Sequence, residues 1–258
     1  GDSRVIDLFE GLAIADIQAA ADVLRPVYEA SDGADGYVSL EVSPYLALDT
    51  GETLAEARRL HKAVARDNLM VKVPATPQGI PAIRDLTAEG ISINVTLLFA
   101  QGTYEEVAKA YIEGLERFAA AGGDVGRVAS VASFFISRID SAVDKLLDEK
   151  IAAANDPDEK AALEGLRGKV AIANAKLAYQ RYKRLFADPD FYQLYVDRWW
   201  DHRRGAMSNA GMEAIVDALE ARDKKAVQKL MDTHLGHVEA NLRLNPRVKD
   251  LKEALSSL

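Results

Sequence analysis

Leu69-Met-Val-Lys-Val-Pro-Ala-Thr76 is an apolar run of strand type with a single amine, Lys72, in its middle. A parallel strand buried on both faces reads as continuous Val, Ile and Leu. A lysine there is costly unless it is paired or does chemistry. Burial favours the neutral amine, and a neutral amine is the nucleophile that forms a Schiff base with a carbonyl. The stretch thus predicts a buried parallel strand and a candidate nucleophile together.

Strand and helix alternate on both sides of it. Before it, residues 12–30 have apolar residues at helical spacing, Asp32-Gly33-Ala34-Asp35-Gly36 is a turn, and 37–43 alternates as a strand. Residues 53–66 read as a helix, with Thr53 and Glu56 in a capping-box pattern. After it come a helix at 79–89, a strand at 91–99, a helix at 103–121 and a strand at 127–135. This βα alternation predicts an α/β fold with a parallel sheet. Four strands, about 37–43, 69–74, 91–99 and 127–135, make a partial TIM-type (β/α) barrel, half of the eight that a closed barrel requires. Beyond residue 140 the pattern turns helical, with helices at 140–154, 158–186, 191–204, 208–222 and 223–244. The expected domains are 1–186, the partial barrel, and 187–258, an α-helical C-terminal region.

Composition narrows the partners. The net charge of −8 offers no electrostatic case for nucleic acid or an anionic membrane. The absence of cysteine excludes disulfides, zinc–thiolate sites and cysteine nucleophiles. No apolar run approaches the roughly 18 residues of a membrane span, so a cytoplasmic location is expected.

Polar residues fall on the four strands as a set: Glu41, Lys72, Asn94 with Thr96, and Ser133. In a barrel, side chains at the C-terminal strand ends converge on one pocket. A carboxylate, an amine, an amide and two hydroxyls can there surround a polyhydroxylated carbonyl compound. Read without their neighbours, Lys72 and Glu41 could equally be a structural salt bridge, and Asn94, Thr96 and Ser133 satisfied strand-end polar groups.

Several stretches resemble transaldolase in order and spacing: Gly36-Tyr-Val-Ser-Leu-Glu-Val-Ser-Pro44, Val71-Lys-Val-Pro-Ala-Thr-Pro-Gln-Gly-Ile80, Gly90-Ile-Ser-Ile-Asn-Val-Thr-Leu-Leu-Phe99, Ser130-Val-Ala-Ser-Phe-Phe-Ile-Ser-Arg-Ile-Asp140 and Gly168 to Lys183. The resemblance covers about residues 11–186. It implies a lysine Schiff base with a keto-sugar phosphate and transfer of a dihydroxyacetone unit to an aldose phosphate, in carbohydrate metabolism, with no cofactor and no metal. Lys72 then matches the imine-forming lysine. Glu41 matches the carboxylate working through a water, and Thr96 the hydroxyl that holds this water. Asn94 and Ser133 match substrate-binding groups, and Arg138 matches a phosphate-binding arginine.

Against the family pattern, the first two and last two strands have no counterpart here, and with them goes the first-strand aspartate that acts as general acid/base. Asp7 lies in what reads as helix entry. This leaves carbon–carbon cleavage in question, and makes a homodimer that completes or covers the sheet edges an expectation. The tail, 187–258, is weakly similar to the helical effector domain of GntR-type regulators. His234 fits its closing metal position, but Met212 occupies the opening one. His234 and His237 share a helix face, with His202 as a third candidate ligand, while Trp199-Trp200 reads as core packing. The alternative to an enzyme is a non-catalytic protein, a fusion or engineered recombination of a transaldolase fragment with a helical module.

Overall fold

A computed structural model describes residues 2–186. The expected helices at 191–204, 208–222 and 223–244, together with Trp199, Trp200, His202, Met212, His234 and His237, lie outside the described residues. The described elements alternate as expected: α1 (Asp2–Ala30), β1 (Val38–Glu41), α2 (Thr50–Val64), β2 (Leu69–Pro74), α3 (Gly79–Thr87), β3 (Ile93–Leu98), α4 (Gln101–Ala120), β4 (Ser130–Phe134), α5 (Ser137–Ala153), α6 (Pro157–Glu164) and α7 (Val170–Phe186). The four strands form one sheet in sequence order, β1-β2-β3-β4. β2 and β3 run parallel with Lys72 level with Asn94, and β3 and β4 run parallel with Asn94 level with Val131. This is a partial β/α barrel followed by helices. None of the described helices is long and apolar enough to cross a membrane.

The residues fall into two compact units. One contains α1, residues 31–40 and residues 59–70. Its centre is Ala21, Tyr28, Leu60, Val64 and Leu69, all buried. Three arginines fasten its helices: Arg59 to Glu10 at 2.6 Å, Arg66 to Asp22 at 2.5 Å and Arg25 to Asp67 at 2.9 Å. Asn68 is fully buried and donates to both Ala21 O and Gly36 O at 2.8 Å. Asp7 falls within α1, in keeping with its reading as helix entry.

The other unit contains residues 41–58 and the described residues from Val71 onward. Val71, Val73, Ile93 and Val95 line one face of β2 and β3 and are fully buried, as are Ala82, Ile83 and Leu86 on α3 and Leu115 on α4. Each buried Val, Ile and Leu side chain of this set stabilises the fold by about 1.5–3 kcal/mol. Close helix packing needs glycine at Gly114, where a Cβ would meet Arg84 O at 2.5 Å and Thr87 Cβ at 2.7 Å.

Two local expectations are corrected. Thr53 does not cap α2, which starts at Thr50; the Asp49 carboxylate accepts the Glu52 N–H at 2.9 Å instead. Thr53 is buried and its hydroxyl donates to Leu46 O. The helix expected over 158–186 is two. α6 begins on an Asp156 cap with Pro157 next to it, and the chain breaks at Gly165 to Lys169, where Gly168 has φ +62°. α5 then receives the start of α7. Asp140 accepts the Ala171 N–H and Asp144 the Gly168 N–H, each at 3.2 Å, and Asp148 pairs with Arg167.

Candidate active site

The face of the sheet opposite the aliphatic one carries the polar set. Val42 N–H donates to Lys72 O, just as Val71 N–H donates to Ser92 O one strand over. The repeated pattern brings Glu41 beside Lys72, and Lys72 Nζ donates to Glu41 Oε2 at 3.0 Å. Lys72 is level with Asn94, and Ser133 Oγ donates to Asn94 Oδ1 at 2.7 Å. Two residues beyond Asn94 on the same face, Thr96 sits level with Pro74 and is 2% exposed. Five of the six candidate residues therefore line one run across four strands.

The lysine is less buried than its apolar neighbours imply. Its side chain is 30% exposed and that of Glu41 46% exposed. Lys72 lies on the face of β2 opposite Val71 and Val73, and it alone of the strand's residues is not buried. The desolvation argument from the sequence is thus weakened, and the ion pair takes its place as the lysine's partner.

The strand ends around Lys72 are braced by hydrogen bonds from the following loops. Thr76 Oγ1 donates to Ala47 O at 2.5 Å and accepts the Gly79 N–H at 2.9 Å; Thr50 Oγ1 donates to Gln78 O at 2.7 Å. Gly79 is required by proximity, because a Cβ there would lie 1.9 Å from Pro74 O.

Arg138 stands apart from the five. It is exposed in the first turn of α5, with its guanidinium carbon 4.5 Å from the centroid of the Phe135 ring. Phe135 in turn stacks on Phe99, at 4.8 Å and 13° between planes. Phe99 follows an irregular strand end. The β3–β4 register shifts between Val95 and Leu98, and Leu97 has φ +59°. A non-glycine residue in that region is uncommon and such outliers gather at functional sites. The stacked pair Phe99–Phe135 and its contact with Arg138 were not read from the sequence. Among the described residues, no group of three or more His, Asp or Glu side chains is placed to hold a metal ion.

Parallel strands bearing an amine–carboxylate pair next to an amide–hydroxyl pair define a β/α-barrel protein with a lysine-centred polar face. The Transaldolase/Fructose-6-phosphate aldolase family model matches residues 2–235, and the chain belongs to that family. It is 51% identical over 195 residues to a transaldolase of Trichodesmium erythraeum, covering 76% of this chain and 49% of that protein. It is 49% identical over 191 residues to transaldolase 2 of Nostoc punctiforme, covering 74% and 50%. Against a transaldolase of Thermobifida fusca it is 56% identical over 172 residues, covering 67% and 45%. The chain spans about half the length of these curated relatives. The family match runs past residue 186 and across the whole of 212–234, the stretch expected to resemble a GntR-type helix pair. The regulator resemblance gains no support from these matches.

Proposed function

We propose that the chain forms a class I transaldolase site, in which a lysine Schiff base carries a dihydroxyacetone unit between sugar phosphates. The observation that carries this reading is the Lys72–Glu41 contact at 3.0 Å, level with Asn94 and its Ser133 partner. In this reading the neutral Lys72 amine attacks the ketone carbon. Glu41, through a water held by Thr96, returns a proton to the carbinolamine oxygen, which leaves as water and gives the iminium. Loss of the β-hydroxyl proton to a base breaks the bond between the α- and β-carbons of the iminium and sends its electron pair towards the iminium nitrogen, yielding an enamine on Lys72 and a free aldehyde. The enamine then adds to an aldose phosphate, and hydrolysis frees the amine.

Asn94 and Ser133 hold the substrate hydroxyls, and Arg138 holds the phosphate. No described residue is assigned to proton transfer at the cleaved bond. Among the described residues β1 and β4 are the outer strands; this reading assigns a second copy of the chain as their partner, because an uncovered strand edge invites pairing. A solution mass of one chain would contradict that assignment. A non-catalytic fusion with an unrelated tail is disfavoured by the family match through residue 235.

The test is transfer itself. The chain should move a dihydroxyacetone unit from fructose 6-phosphate to an aldose phosphate, and Lys72→Met should not. No transfer by the wild type, or equal transfer by the variant, contradicts the reading.

A further inference from the structure

We infer that Asn174, on α7, is a positioning residue for the phosphate end of the substrate, acting through Phe99 and Phe135 on Arg138. This rests on the reading of Arg138 as the phosphate contact. The Asn174 amide is used at both ends. Its Nδ2 donates to Phe99 O at 2.8 Å, and its Oδ1 accepts from Gln101 Nε2 at 3.1 Å. The orientation is enforced from behind. Arg181 Nε donates to Gln101 Oε1 at 3.1 Å, and Arg181 also pairs with Glu105. Gln101 must therefore turn its amide nitrogen towards Asn174, which leaves the Asn174 nitrogen facing Phe99.

Phe99 needs such a hold. Two residues earlier, Leu97 has φ +59°, a strained conformation that persists only where surrounding contacts over-determine it. Leu98 O is held by the Phe135 N–H at 2.8 Å, and Phe99 O by Asn174. With both carbonyls fixed, the Phe99 ring lies flat on Phe135, and Arg138 lies over that ring. An arginine over an aromatic face gains a cation–π contact that limits where its charge sits. Releasing Phe99 O frees the lower ring and so loosens the upper one and its guanidinium.

The experiment compares the wild type with Asn174→Asp, which keeps the acceptor for Gln101 but sets an oxygen against Phe99 O. Gln101→Met, which removes only the orienting group, is the second variant. Arg138→Ala defines the floor. Two readouts are taken on the full chain: calorimetric titration with inorganic phosphate, and half-saturation of borohydride-trapped imine with fructose 6-phosphate and with unphosphorylated dihydroxyacetone. Loss of one hydrogen bond predicts phosphate binding weaker by roughly three- to tenfold in Asn174→Asp. Gln101→Met should shift it less, in the same direction. Half-saturation should rise by the same factor for fructose 6-phosphate and stay unchanged for dihydroxyacetone. Wild-type phosphate affinity in Asn174→Asp, undiminished affinity in Arg138→Ala, or equal shifts for both ketones would overturn the inference. A wild type that traps neither ketone sinks the Schiff-base reading, while the phosphate titration still decides the role of Asn174.

Discussion

Lys72 Nζ and Glu41 Oε2 lie 3.0 Å apart on neighbouring strands, in a pair that is open to solvent on both sides. An ion pair of such exposure is worth about 0–1 kcal/mol to the fold. Stability is therefore a weak reason for its presence, and proton traffic at the amine is the role proposed for it.

Glu41→Gln separates the two. The variant keeps the shape and loses the base. Its unfolding free energy in urea should stay within about 1 kcal/mol of the wild type. The rate of imine formation should fall by about 10²- to 10⁴-fold, the usual contribution of a positioned acid–base group. A large stability loss with an unchanged rate would make the pair structural.

Gly79 tests how tightly the lysine strand is fitted to the helix after it. A methyl group there would press on Pro74 O, which backbone alone can relieve. Gly79→Ala should cost about 1–3 kcal/mol by urea denaturation. It should also slow imine formation, because Pro74 ends the strand that carries Lys72. An increase in stability from the better helix former would show that the approach is not close.

His61 gives the fold a pH dependence near neutrality. Burial lowers its pKa from the ordinary 6.5, opposed by the Asp67 carboxylate. With the folded value below the unfolded one, the unfolded chain takes up the proton first as pH falls. Stability from this group is complete well above pH 6.5 and declines as pH drops through 6.5 towards the folded value. Thermal melts from about pH 8 to pH 5 should fall in Tm, and His61→Gln should flatten that fall. Identical slopes in both proteins would remove His61 as the cause.

The repeating part of the fold was legible because each strand is a short apolar run next to a helical period. The Lys72 strand, 69–74, was read to the residue; the ends of the others moved by one to three residues. The misreadings were local. Thr53 has capping chemistry, yet Asp49 lies where the helix begins. The break between α6 and α7 hides in a helical pattern, and Gly165 and Gly168 were its only signal. For the site, Glu41, Lys72, Asn94 and Ser133 were legible as neighbours because strand order places them side by side. The contact of Asn174 with Phe99 was not, because the two lie 75 positions apart in the sequence and spacing carries no information across that distance. The stretch Gly168 to Lys183 was visible as a family motif, and its work of holding the end of β3 emerges only from the fold.

The central claim is that Lys72 is the imine-forming amine. The most direct measurement is borohydride reduction of the chain in the presence of fructose 6-phosphate, followed by mass analysis of peptides. The account predicts a stable mass increase on the peptide carrying Lys72, absent in Lys72→Met. An unmodified Lys72 under saturating ketone, or the adduct on another lysine, would contradict it.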